Sequence, residues 1–116
     1  MKRSPVTLTD DSAGTLLVTV TPPSDGGKYE ATVQISGDFG SGTAGLALSL
    51  DGGTTKVAAK DLSGVAYAVT ANDVVTISIT ANGNNTSTLT NEPPLLYATL
   101  TGSSSPDLDF IVIDNL

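Results

Sequence analysis

The chain has 116 residues, a formal net charge of −7 at neutral pH, and no His, Cys or Trp. This length fits a single domain with its own core, and the absence of Cys excludes disulfides, Cys-ligated zinc and thiol catalysis. The negative charge repels nucleic-acid backbones and anionic lipid surfaces, so neither is expected as a partner. No apolar run approaches the length of a membrane span, and no apolar signal segment follows Met1-Lys2-Arg3.

The first predicted strand covers residues 15–21. Its residues alternate in polarity, which places Leu16, Val18 and Val20 on the face directed at the core. Residues 22–27 contain two prolines followed by Asp-Gly-Gly, a composition that ends a strand and favours a turn. This segment therefore indicates a half-buried strand with a well-defined end.

The second predicted strand covers residues 29–36 and alternates in the same way. The inward residues are expected to be Tyr29, Ala31, Val33 and Ile35. Residues 37–42 contain too many glycines for the interior of an element, so they indicate a bend. Phe39 is expected to cap the core from this bend.

The middle of the chain predicts a hairpin over residues 46–58, with Asp51-Gly52-Gly53 as a tight turn. Two further strands are expected over residues 65–69 and 74–80. In the second of them, the inward residues are expected to be Val75, Ile77 and Ile79.

Residues 82–85 are typical of a polar turn, and residues 86–90 predict a short edge strand. The last two predicted strands are residues 95–101 and 110–113, and an exposed loop separates them. All four residues from Phe110 to Ile113 are apolar, so both faces of the last strand require cover. One interpretation is that this strand is central or lies beneath a loop. The other is that it forms an interface with another subunit or a partner.

No segment shows a helical period, and turn signals recur at the spacing of a sandwich or barrel. We therefore predict an all-β fold, an antiparallel β-sandwich of jelly-roll or immunoglobulin-like type with about eight strands. Residues 10–116 are expected to form this single domain. Residues 1–9 are expected to be an N-terminal arm that contacts a partner through Val6 and Leu8, with a frayed terminus as the alternative.

Few side chains in the sequence suit catalysis. Triads that use a histidine base are excluded because the chain has no His. The carboxylate pairs Asp107/Asp109 and Asp10/Asp11 are interpreted as turn acceptors or solvated acids rather than as an acid–base pair. Asp-Gly-Gly at residues 25–27 and 51–53 superficially resembles calcium loops, but each lacks the series of acids that an EF-hand needs. No cofactor or metal is expected, and a structural calcium ion stays an open alternative.

Tyr67 lies among alanines and valines. A buried ring with a hydrogen-bonded hydroxyl is favoured there over a platform for sugar binding.

The segment Ile35-Ser36-Gly37-Asp38-Phe39-Gly40 and the segment from Ala44 to Thr55 resemble small β-proteins encoded among tailed-phage structural genes. Those proteins share a Gly-x-Phe-Gly bend, an alternating strand and an Asp-Gly-Gly turn followed by Thr. Residues 95–102 are similar to their penultimate strand. One departure is Lys56-Val57, which stands where such proteins often have an aromatic residue.

The resemblance implies a non-enzymatic virion structural protein, most plausibly a capsid decoration (cement) protein or a head-fibre module on the capsid exterior. It implies the major capsid protein as the partner and a homo-oligomer, with a trimer favoured. On this hypothesis the interface residues are Val6, Leu8, Phe110, Ile111, Val112 and Ile113. The alternative is an adhesin-like or fibre module that binds a glycan or a host surface protein.

Overall fold

The structure is a computed structural model that describes residues 1–20, 28–61, 63–79 and 94–115. These residues form eight β-strands and no helix. The strands are β1 (Val6–Leu8), β2 (Ser12–Thr19), β3 (Tyr29–Asp38), β4 (Thr43–Ser49), β5 (Val57–Ala58), β6 (Asp73–Ile79), β7 (Leu95–Thr101) and β8 (Asp107–Asp114). The predicted turn 82–85 and edge strand 86–90 lie outside the described residues.

The strands form two four-stranded antiparallel sheets. The first sheet has the order β1-β8-β3-β6 and the second has the order β2-β7-β4-β5. The first half of the chain pairs with the second half in reverse order, which gives the antiparallel pairs β1–β8, β2–β7, β3–β6 and β4–β5. Two further antiparallel pairs, β3–β8 and β4–β7, complete the two sheets.

This order defines a jelly roll, an eight-stranded double-sheet form of the β-sandwich. The predicted class is thus confirmed, and the strand order also decides between its two variants. In an immunoglobulin domain the first two strands pair in one sheet, whereas β1 and β2 here belong to different sheets.

Strict alternation was the most reliable signal in the sequence. The inward residues predicted for β3 are all buried, and Ile77 and Ile79 of β6 are buried while Val75 packs against the same core. Phe39 is also buried, as expected for a residue that caps the core. The predicted strand 95–101 coincides with β7.

The prediction for β2 was wrong in its bounds and in one residue. The strand covers Ser12–Thr19, and its pairing with β7 shifts register between Leu16 and Val18. An irregularity of this kind changes which side chains face inward. As a result Leu16 is 46% exposed, whereas Leu17 packs against the core beside the buried Val18.

Two predictions in the middle of the chain also need correction. Residues 65–69 form no strand, because only Ala66 and Val69 make isolated bridges, to Lys60 and Ala44. The hairpin of β4 and β5 exists, but residues 50–56 make its loop longer than a tight turn. Asp51 closes this loop by accepting hydrogen bonds from the backbone N of Thr55 and from Ser49 Oγ, both at 2.8 Å.

The last strand lies inside the first sheet, between β1 and β3. Phe110 and Val112 face the core, and β1 pairs with β8 from Val6 opposite Phe110 to Leu8 opposite Leu108. The segment 1–9, expected to be an arm, therefore contributes the edge strand of this sheet.

A buried polar cluster joins the start of β3 to the end of β8, the two central strands of the first sheet. Asp114 accepts a hydrogen bond from the Tyr29 hydroxyl at 2.8 Å and another from Arg3 Nε. The side chain of Asp114 is fully buried, and Tyr29 is too. Among the described residues, every buried side-chain polar atom has a hydrogen-bond partner, as a well-formed core requires.

Candidate interaction surfaces

One acid of each pair singled out in the sequence, Asp11 and Asp109, serves as a hydrogen-bond acceptor within the fold. Asp11 accepts from the backbone N and the hydroxyl of Ser103 and from the backbone N of Gly102. These bonds, led by that of the Ser103 hydroxyl, lower the pKa of Asp11. Asp109 accepts from Thr7 Oγ1 at 2.6 Å, and Asp107 lies opposite Asp38 in the register of β8 and β3.

The two possible calcium loops have different outcomes. Residues 25–27 lie outside the described part of the chain. At residues 51–53 the hydrogen bonds from Thr55 N and Ser49 lower the pKa of Asp51, so its carboxylate already closes the loop. Within the described residues no group of three or more His, Cys, Asp or Glu is placed to hold a metal ion.

All five aromatic residues of the chain lie in its described part, and packing occupies their rings. Tyr29, Phe39 and Phe110 are core residues. Tyr97 is 7% exposed and lies beneath Lys56, whose Nζ is 5.0 Å from the ring centroid.

Tyr67 is half-buried, and its hydroxyl donates a hydrogen bond to Thr76 O at 2.6 Å. Burial, and secondarily the charge of Asp61, raises the pKa of Tyr67. The predicted hydrogen bond of the Tyr67 hydroxyl is confirmed, but the ring, expected to be buried, is only half-buried against the core.

The solvent side of the first sheet is a candidate interaction surface, which we call the outer face. Because side chains alternate along each strand, its residues follow from the register of the core residues. They are Lys2, Thr7, Glu30, Thr32, Gln34, Ser36, Asp38, Val74, Thr76, Ser78, Asp107, Asp109, Ile111 and Ile113. Most are β-branched or carry a hydroxyl, as is usual on the solvent side of a pleated sheet.

Exposed apolar side chains lie near the middle of the outer face. Ile113 on β8 is 53% exposed and Val74 on the edge strand β6 is 57% exposed, while Ile111, the outward neighbour of Ile113 on β8, is half-buried. The charges lie at its two ends. Asp38, Asp107 and Asp109 lie at the end where β3 finishes and β8 begins, and Lys2 lies toward the opposite end beside Ile113.

The six predicted interface residues divide between the two sides of the first sheet. Leu8, Phe110 and Val112 are buried in the chain's own core, and Val6 is half-buried against it. Ile111 and Ile113 lie on the outer face. Val74 was not singled out in the sequence, although the alternation that directs Val75 inward already directs Val74 outward.

A second apolar surface lies beside β5, on the other sheet. It is an open depression of about 610 Å³ lined by Leu48, Leu50, Asp51, Thr55, Val57, Ala58, Ala59 and Lys60. Leu50 is 69% exposed and Val57 is 61% exposed. The sequence signal for it was weak, because Leu50 and Val57 were assigned to a regular hairpin whose loop is in fact long.

Comparison of the chain with protein-family models, with curated proteins and with solved structures gave no match. Within the described residues, no helix is long and apolar enough to cross a membrane.

Proposed function

We propose that this protein is a non-enzymatic structural component of a virion, a capsid decoration (cement) protein that binds the exterior of a tailed-phage head and stabilises it. The proposed partner is the major capsid protein. The proposal includes homo-oligomerisation, for which the sequence resemblance favours a trimer.

The observation that carries this proposal is the presence of separate exposed apolar surfaces on the two sheets. Ile113 and Val74 lie on the outer face, and Leu50 and Val57 lie beside β5. A protein that reinforces a shell must contact the shell and also its own neighbours, so it needs more than one such surface. Buried apolar area contributes about 25 cal/mol per Å², and contacts of this kind add up over many symmetric copies.

The chemistry of the chain supports a passive role. The sequence has no His or Cys, and one acid of each sequence pair, Asp11 and Asp109, accepts hydrogen bonds within the fold. The jelly roll by itself does not select a function, because lectins and enzymes share it with viral capsid proteins. The alternative of an adhesin-like module receives less support, since four of the five aromatic rings are buried and the half-buried Tyr67 uses its hydroxyl to bond Thr76 O.

Capsid binding tests the proposal. Purified protein is incubated with capsids of the encoding phage that lack it, and the capsids are then pelleted through a sucrose cushion. We expect saturable co-sedimentation and a raised temperature of capsid disruption. Leu50→Asp is expected to weaken binding, and Leu16→Asp, at a leucine that is 46% exposed on β2, the opposite edge strand of the same sheet, is the matched control. Absence of binding together with specific recognition on a glycan array would favour the adhesin alternative.

A further inference from the structure

The outer face has an internal symmetry that follows from the strand register. Val33 of β3 lies opposite Val75 of β6 on one side and opposite Val112 of β8 on the other. This row of inward valines crosses the middle of the sheet. On the solvent side of each strand, a residue that precedes this row by a given number of positions can be paired with the residue that follows the row by the same number.

The pairs are complementary. Along β3, Thr32 matches Gln34 and Glu30 matches Ser36, so hydroxyl, amide and carboxylate groups meet polar partners. Along β8, Ile113 matches Ile111, and along β6, Val74 matches Thr76. These are the pairs that a two-fold axis lying across the strands, over the valine row, would bring together between two copies.

The ends of β3 supply a charge pair of the same kind. Lys28 lies one residue before β3 and Asp38 is its last residue, and both are exposed. They are equally distant from Val33, so the same axis would place Lys28 of each copy over Asp38 of the other. An axis parallel to the strands would instead bring the acidic end, with Asp107 and Asp109, against itself.

We propose that the outer face is a two-fold interface that binds a second copy of this chain, with the strands of the two facing sheets antiparallel. Its centre is formed by Ile111 and Ile113 of both copies, and Lys28 faces Asp38 at each end. A trimer has no two-fold axis, so it would need a different surface. The proposal does not depend on the virion role.

The size of the face limits the strength of the pair. Four strands about 4.8 Å apart and about eight residues at 3.3 Å each cover roughly 500 Å² per copy. This is less than the roughly 800 Å² per partner of a standard interface. The net charge of −7 on each copy also opposes association. We therefore expect a weak, reversible dimer whose population rises with protein concentration.

Sedimentation velocity over a concentration series tests the proposal through a charge exchange. Lys28→Glu and Asp38→Lys each place like charges together, and each is expected to weaken association about tenfold. The double variant restores opposite charges and the original net charge, so its association should return toward that of the unmodified chain. Loss of association in both single variants and its recovery in the double variant are expected only where Lys28 of one copy contacts Asp38 of the other.

Three controls separate the local pair from other effects. Lys60→Glu changes the net charge as Lys28→Glu does but lies off the outer face, so association should stay unchanged. Ile113→Glu should abolish association, whereas Val65→Glu, at a similarly exposed residue elsewhere, should not. Thermal unfolding verifies the fold of each variant, since Asp38 also accepts from the backbone N of Gly40. A monomer at every concentration, a double variant as weak as the single ones, or association that the charge and Ile113→Glu substitutions leave unchanged would overturn the proposal.

Discussion

Asp114 is the residue that ties the two termini of the described chain to the core. Its buried carboxylate accepts from Tyr29 and from Arg3, and its bond to Arg3 raises the pKa of that guanidinium. Burial, together with the hydrogen bond to Asp114, raises the pKa of Tyr29 above its ordinary value of 10.0. A charged acceptor in the core is tolerated because both donors reach it.

The raised pKa of Tyr29 predicts a loss of stability in alkali. Because the folded-state pKa is higher than the unfolded one, the contribution is complete below pH 10.0 and is lost as the pH rises from there toward the folded-state pKa. The loss attributable to this residue is about 1.4 kcal/mol per pH unit. Tyr29→Phe should be about 1–3 kcal/mol less stable at neutral pH, because Asp114 loses a donor.

Urea unfolding at a series of pH values measures this effect. The difference in unfolding free energy between the unmodified chain and Tyr29→Phe should shrink above pH 10. Tyr67→Phe is the comparison at a half-buried ring whose hydroxyl bonds to a backbone carbonyl. Parallel curves for the unmodified chain and Tyr29→Phe would contradict the assignment.

Replacement of Gly37 should be costly, because two separate effects act there. Its φ is +124°, and a Cβ would lie 2.4 Å from the carbonyl oxygen of Asp107 on the neighbouring strand. Gly37→Ala should therefore lower the unfolding free energy by more than about 3 kcal/mol. Gly64 has a φ of +81° with no atom within 4 Å of its Cβ position, so Gly64→Ala should cost only about 1 kcal/mol. Chemical denaturation compares the two, and equal losses would show that steric contact at Gly37 is unimportant.

At the scale of the element, alternation predicted a strand wherever its pattern was regular. β3, β6 and β7 were predictable because one face of each contacts the core continuously. β2 was only partly predictable, since the register shift beside Leu16 depends on pairing with β7 and has no signature in the local sequence. Residues 65–69 carry a strand-like composition but lie at the edge of β4 and β5, where only single bridges form.

The N-terminal segment was the least predictable element, because three residues of alternation do not separate an arm from an edge strand. Its pairing with β8 predicts that Leu8, which is 5% exposed, contributes to stability. Leu8→Ala should lower the unfolding free energy by about 2–4 kcal/mol. Leu50→Ala, at a leucine that is 69% exposed, should change it by less than about 0.5 kcal/mol. If Leu8→Ala is as mild as Leu50→Ala in urea unfolding, the segment does not pack as β1 in solution.

For the molecule as a whole, the sequence was sufficient to predict a β-sandwich but not the order of its strands. Long-range pairing of β1 with β8 and of β2 with β7 decides the jelly roll, and no local pattern encodes it. The same order places Lys28 and Asp38 at opposite ends of one strand in the middle of the first sheet. Ile111 and Ile113 were predicted as interface residues from their apolar character, but the complementarity of the outer face appears only once the register is known.

The most direct test of the central claim, that the outer face pairs with a second copy, is cross-linking across the proposed axis. The chain has no Cys, so single substitutions give unique sites. Thr32→Cys and Gln34→Cys chains are mixed and treated with a bis-maleimide that spans about 10 Å, the separation of packed sheets. We expect the mixture to cross-link faster than either variant alone, and Thr54→Cys, in the 50–56 loop, not to cross-link. Equal rates in the mixture, in the separate variants and in Thr54→Cys would contradict the claim.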